Sequence, residues 1–215
     1  LAFGLPLIPH NLSGWLRTGV SIVIITDLLG KAEAGMYNLG SQFSLIVFFI
    51  GHGFILALTP IIYEKLSRIT AKEKLNLVRI NYSFFTGLIV LAAGVSIIAP
   101  VAIKLFFDAR YYGSIPFIPW LSFSFAFFSM YFAVVTYLLH HKKTFALSLI
   151  STATGLLNLG LCYWLVQWIG AIGAAQASLV SFFFMFFIVA IYANRIQPLP
   201  WFDFKAIFNL KPDKP

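Results

Sequence analysis

Long apolar stretches separated by short polar ones set the pattern of this chain. Runs of low charge, bounded by polar residues or by Gly and Pro clusters, cover roughly residues 3–28, 34–62, 80–107, 116–140, 144–168 and 171–194. Each run is long enough for a helix, rising about 1.5 Å per residue, to cross about 30 Å of hydrocarbon. Short segments of alternating polarity, typical of outer-membrane barrels, are not found. The pattern therefore predicts six transmembrane helices.

The composition agrees with this pattern. Hydrophobic residues make up 60% of the 215 residues and charged residues only 10%, too little polar surface for a water-soluble domain of this size. We predict an all-α polytopic membrane protein, with a six-helix lobe at residues 1–196 and a cytoplasmic Pro-rich tail at 197–215. Because the chain begins without Met or the features of a signal peptide, we expect it to be part of a longer protein.

The lysines and arginines favour one orientation in the membrane. If alternate connections lie on opposite sides, the second and fourth loops and the tail together hold eleven of the 15 basic residues. The first and third connections hold only Lys31, Lys104 and Arg110. The positive-inside rule then places both termini in the cytoplasm. Most of the net charge of +8 comes from these cytoplasmic basic residues, which would lie beside anionic lipid head groups. No nucleic-acid partner is therefore expected.

The first predicted helix carries a charge near its middle. At 100° per residue, His10, Gly14, Arg17 and Ser21 lie on one face of that helix. An arginine at the centre of a span costs roughly 2.5 to 3.5 kcal/mol on insertion scales, so such a side chain usually faces protein or water. We therefore expect Arg17 to have a task other than packing against lipid.

Polar faces recur on two other helices. On the second, Asn38, Gln42 and His52 share a face. On the fifth, the polar face comprises Ser148, Ser151, Thr152, Gly155 and Asn158. Such groups can hydrogen-bond across helix contacts, worth about 0.6 to 2 kcal/mol each, and this interpretation is favoured for Ser and Thr. The alternative is a polar cavity, whose candidate substrate-binding residues are His10, Arg17, Ser21, Asn38, Gln42 and Asn158.

Signals of enzymatic chemistry are missing from the sequence. It contains no GxxxxGK[ST] phosphate loop, no GxSxG elbow and no HExxH motif. All seven acidic residues lie at span ends or in loops, so no carboxylate pair is available within a span. The single Cys162 excludes an intramolecular disulfide. We predict that the protein is not an enzyme and needs no cofactor or metal.

Several segments carry a resemblance to a known family. They are "FGLPLIPHNLSGWL", "ITDLLGKAEAGMYNLGSQFSLIV", "TPIIYEKL", "RYYGSIPFIPWLSFSFAFFSMY", "HHKKTFALSLISTATGLLNLGL" and "IGAIGAAQASLVS". In this order and spacing, over nearly all of residues 1–198, the chain resembles the C-terminal half of a polysaccharide flippase. Such flippases transport O-antigen or exopolysaccharide repeat units and belong to the multidrug/oligosaccharidyl-lipid/polysaccharide superfamily.

The resemblance implies two similar lobes around a central cavity in the bacterial inner membrane. By alternating access, the lobes would move an undecaprenyl-diphosphate-linked oligosaccharide to the outer leaflet for surface polysaccharide synthesis. The implied partners are membrane lipid, the missing N-terminal lobe and a polysaccharide polymerase. The chain departs from the family at one place, because Ser21 and Ile22 stand where we expect an Asp-Arg pair.

This resemblance suggests a task for Arg17. A guanidinium binds phosphate in a planar, bidentate and permanently charged manner, and the substrate carries a diphosphate. Three alternatives remain. They are a drug or cation exporter of the same superfamily, a non-transporting scaffold of a polysaccharide assembly complex, and a membrane glycosyltransferase or polymerase. An exporter should carry acidic residues within its spans, and an enzyme should carry a large polar loop, whereas the longest loop predicted here is the basic one near residues 63–79.

Overall fold

The computed structural model describes residues 19–202, and within this range all regular elements are helical. The helices are α1 (Gly19–Leu29), α2 (Lys31–Ser67), α3 (Ala71–Phe106), a 3-10 helix (Ala109–Ser114), α4 (Phe117–His140), α5 (Thr144–Ile169) and α6 (Ile172–Ile196). Helices α2 to α6 are each long and apolar enough to cross a membrane. The chain is an all-α polytopic membrane protein, as the hydrophobic pattern predicts.

Helices α2 and α3 are much longer than a bilayer is thick. They contain 37 and 36 residues, or about 55 Å at 1.5 Å per residue, against about 30 Å of hydrocarbon. Only residues 68–70 separate them. The prediction of a loop over residues 63–79 was therefore wrong, because charged residues do not end a helix once it has left the hydrocarbon.

The sequence contains a start signal for α3 within this predicted loop. Thr70 and Glu73 have the spacing of a capping box, and the Thr70 side chain accepts a hydrogen bond from the Glu73 backbone N–H at 3.2 Å. The Glu73 carboxylate also pairs with the Lys65 ammonium of α2 at 2.5 Å. The charges that suggested a loop thus help to form and join two helix ends.

Helix α4 is the centre of the bundle. In its most apolar stretch 67% of the residues are buried within the chain, against 22% in the corresponding stretches of α2 and of α3. It packs against α2, α3 and α6. At Gly51 of α2 the neighbouring helices pack closely, because an added Cβ would lie 2.7 Å from Ser129 Cβ of α4 and 2.8 Å from Leu88 Cδ2 of α3. Small residues at such contacts let membrane helices approach each other.

The segment that follows α6 folds back onto the start of α3. The Asn194 side-chain oxygen accepts hydrogen bonds from the Leu199 backbone N–H at 3.0 Å and from the Trp201 indole N–H at 3.1 Å. The Tyr82 hydroxyl donates to the Trp201 carbonyl at 2.8 Å, and the two rings meet edge to face. This arrangement, here called the tail clasp, ties the end of α6 to α3.

The orientation in the membrane stays a prediction, and the structure selects suitable reporter sites for it. In a Cys162→Ala background, a cysteine at Ser67 or Lys143 should be shielded from an impermeant maleimide added to intact cells. A cysteine at Arg110 should react, because that side chain is 74% exposed in the connection between α3 and α4. Ser114 in the same connection is buried and would be a poor reporter. Labelling of the cysteine at Ser67 and not of the one at Arg110 would show that the orientation is opposite to the predicted one.

Candidate functional site

The candidate binding residues lie in different surroundings. His10 and Arg17 fall outside the described residues. Ser21 and Asn158 are buried between helices, whereas Asn38 and Gln42 are exposed on α2. The structure therefore does not bring the four described candidates into one pocket. It divides them into a buried pair and an exposed pair.

Ser21 lies at a junction of four helices. Its hydroxyl is 3.8 Å from the Cys162 sulfur of α5, and the side chain of Tyr37 on α2 lies nearby. Tyr37 in turn adjoins Ser178 of α6. All four side chains are buried. At this position, where the family resemblance led us to expect an acidic residue, a small hydroxyl fits into a closely packed helix contact.

A small cavity adjoins this junction. It has a volume of about 20 Å³, and four hydroxyl groups line it, from Tyr37, Ser41, Ser124 and Ser178. A cavity of this size and polarity can hold one water molecule. Of these groups, the Ser124 hydroxyl has no hydrogen-bond partner among the described residues. Sugar rings are far larger than this cavity, so it cannot hold an oligosaccharide.

Asn158 is the least satisfied amide of the interior. It is 1% exposed, and its side-chain nitrogen finds no acceptor among residues 19–202. It precedes Cys162 by one helical turn and therefore lies on the same face of α5, the face that contacts Ser21. An unpaired buried amide costs about 1 to 3 kcal/mol. Asn158 is thus a buried amide whose nitrogen is left unsatisfied by residues 19–202.

Asn38 and Gln42 form an exposed amide pair on α2. They are one helical turn apart, on the side of the helix opposite the buried residues Gly40, Ser44 and Val47. Both belong to the first third of residues 34–63, a stretch without lysine, arginine, aspartate or glutamate. Within a span, an amide presented to hydrocarbon is unfavourable. This face of α2 is suited to water, to a polar ligand or to another part of the protein.

His52 is an ionisable residue near the middle of the same charge-free stretch. The sequence placed it on the face of Asn38 and Gln42, but we did not include it among the binding candidates. Its ring stacks on Phe48 at 5.3 Å and meets Phe132 of α4 edge to face at 5.0 Å. Its Nδ1 atom is covered and has no hydrogen-bond partner among the described residues. The signal that could have found it is the rarity of ionisable side chains within spans.

Several threonine hydroxyl groups in the spans are satisfied by their own helix. Thr59, Thr136 and Thr154 each donate to the carbonyl four residues earlier, at 2.7 to 2.9 Å. Interhelical bonds are fewer. The Ser44 hydroxyl donates to the Ile118 carbonyl at 3.2 Å, and the Asn81 amide donates to the Tyr137 hydroxyl at 2.8 Å. A serine or threonine on a predicted polar face is thus weak support for a cavity.

These features define a multi-pass α-helical membrane protein with a polar interior junction and an exposed amide pair on one long helix. Scans against protein-family models, curated proteins and solved structures found no match for this chain.

Proposed function

We propose that this chain is one lobe of a flippase for lipid-linked oligosaccharides. The observation that carries the proposal is the exposed amide pair, Asn38 and Gln42, on a helix that otherwise has the composition of a membrane span. Amides donate and accept hydrogen bonds, which is the chemistry that sugar hydroxyls require. A purely structural helix would gain more from apolar residues at these positions.

The shape of the lobe is compatible with a second lobe beside it. Only 22% of the most apolar stretch of α2 is buried within the chain, and Asn38 and Gln42 are exposed, so the amide face is open to a facing lobe. A cavity between two lobes would expose the sugars to the α2 amides. In the sequence-based hypothesis, Arg17 would bind the diphosphate. Alternating access would then move the substrate from the cytoplasmic to the outer leaflet, with the polyprenyl tail remaining in lipid.

The proposal predicts translocation by the full-length protein in vesicles. Vesicles would contain a polyprenyl-diphosphate oligosaccharide that carries a fluorophore on the sugar, and an impermeant quencher would report the outer-leaflet fraction. Wild-type protein should equilibrate the two leaflets, whereas the Asn38→Leu/Gln42→Leu variant should be slower by tenfold or more because two hydrogen-bonding side chains are lost.

A matched control is Gln167→Leu, which removes an exposed amide from α5 and should leave the rate unchanged. Equal loss in this control would show that the amide pair has no special role. Transport of a lipophilic cation, without translocation of the lipid, would replace the flippase proposal with the exporter. If neither the lipid-linked oligosaccharide nor the cation is transported, a non-transporting scaffold is favoured.

A further inference from the structure

A long apolar groove runs between α2 and α3, away from the amide pair. Its volume is about 630 Å³. From α2 it is lined by Ile50, Phe54 and Leu58, and from α3 by Arg79, Ile80, Ser83, Phe84, Gly87, Leu88 and Leu91. The small residues Ser83 and Gly87, one turn apart, create the space. A Cβ added at Gly87 would meet no atom within 4 Å.

The groove has one charged end. Among the described residues that line it, Arg79 alone carries a charge. Arg79 directly precedes residues 80–103, a stretch without charged side chains, so it lies where α3 enters the hydrocarbon. Arg68 and Lys72, both exposed, lie near the same helix ends. This end therefore offers a basic surface at the depth of lipid phosphates.

The dimensions of the groove match one leaflet. From Arg79 to Leu91 the α3 side extends about 18 Å at 1.5 Å per residue, close to half of a hydrocarbon core about 30 Å thick. We propose that the groove binds an acyl chain of an anionic phospholipid, with the phosphate on Arg79. Basic pockets between membrane helices on the cytoplasmic side bind anionic head groups by the same chemistry.

An acyl chain fits this groove better than a polyprenyl tail does. A polyprenyl chain of many isoprene units is longer than one leaflet, whereas an acyl chain extends over about the distance from Arg79 to Leu91. The site is thus distinct from the amide pair on α2 and does not depend on what the protein transports. A lipid held here would fill the space between α2 and α3 and support their packing.

The charge of the site can be tested with a matched arginine. Full-length protein would be delipidated in detergent and titrated with dioleoyl phosphatidylglycerol or dioleoyl phosphatidylcholine, and bound lipid would be counted by native mass spectrometry. Arg79→Gln should weaken phosphatidylglycerol binding at one site by tenfold or more, because a charge-assisted contact is lost. Arg195→Gln, which removes an exposed arginine at the end of α6, should leave that site unchanged. Equal effects of the two variants would overturn the proposal.

The volume of the site can be tested with a matched glycine. Gly87→Phe should fill the groove and abolish this binding of phosphatidylglycerol. Gly94→Phe places the same ring on the same helix, outside the groove, where a Cβ also meets no atom within 4 Å, and binding should persist. Unchanged binding in Gly87→Phe would show that the lipid lies elsewhere. Displacement of phosphatidylglycerol by an equimolar polyprenyl phosphate would reject the phospholipid as the occupant.

Discussion

Gly173→Ala should destabilise the protein by about 1 to 3 kcal/mol, the range expected for overpacking a close contact. Gly173 lies in the first turn of α6, where an added Cβ would be 2.5 Å from the Leu165 carbonyl carbon and 2.6 Å from its oxygen. These atoms belong to the backbone of α5 and cannot rotate away. The free energy of unfolding, measured by titration with sodium dodecyl sulfate and followed by circular dichroism, should fall accordingly.

Gly160→Ala is the matched control on the same helical hairpin. Gly160 is exposed on α5, and a Cβ there would meet no atom within 4 Å. Alanine is also a better helix former than glycine, so this variant should be at least as stable as wild type. Similar stability of Gly173→Ala and Gly160→Ala would show that α5 and α6 are farther apart than described.

The second large effect is expected at Arg17, which lies outside the described residues. In the full-length protein, Arg17→Gln should reduce transport by tenfold or more, because hydrogen bonds to a charged group contribute about 1.5 to 3 kcal/mol. Arg17→Lys should retain part of the activity, because an ammonium still attracts phosphate but cannot bind it in a bidentate manner. The vesicle assay for the labelled lipid-linked oligosaccharide measures both rates.

Lys104→Gln is the control for loss of a basic residue, because Lys104 is exposed at the end of α3. The translocation rate of this variant should equal that of the wild type. The amount of each variant in the membrane must be measured as well. Normal transport by Arg17→Gln would remove this residue from the substrate site. If the Arg17→Gln protein instead fails to accumulate, Arg17 has a structural role.

Helix positions were predictable where hydrocarbon length and turn residues set the ends. The predicted spans 116–140, 144–168 and 171–194 correspond to α4, α5 and α6 within two residues at each end, because Pro116, the His140 to Lys143 run and Gly170 stand between them. The spans of α2 and α3 were also predicted, but the end of α2 and the start of α3 were not. Hydropathy identifies the part of a helix that lies in lipid, but it does not identify the turns that continue into water. For α3, the signal for the true start was the capping box at Thr70.

The site was harder to predict for a different reason. Periodicity grouped Ser148, Ser151, Thr152, Gly155 and Asn158 on one face of α5, and all of them except the half-buried Thr152 are buried. It could not tell whether a hydroxyl bonds its own helix, as Thr154 does, or a neighbouring helix, as Ser122 of α4 does when it donates to Ser44 of α2. That choice depends on the distance between helix backbones. The groove beside Arg79 was missed because it arises from small residues, Ser83 and Gly87, within an otherwise ordinary apolar run.

The tail clasp changes where the folded unit ends. Helix α6 stops at Ile196, but Leu199 is buried and Trp201 is held by Asn194 and Tyr82. A truncation made at the helix end would leave the Asn194 acceptor without its two donors and would uncover one side of α3. The backbone amide of Leu199 should therefore exchange its hydrogen slowly, although it lies outside α6. A protease should therefore cut slowly between Ile196 and Trp201.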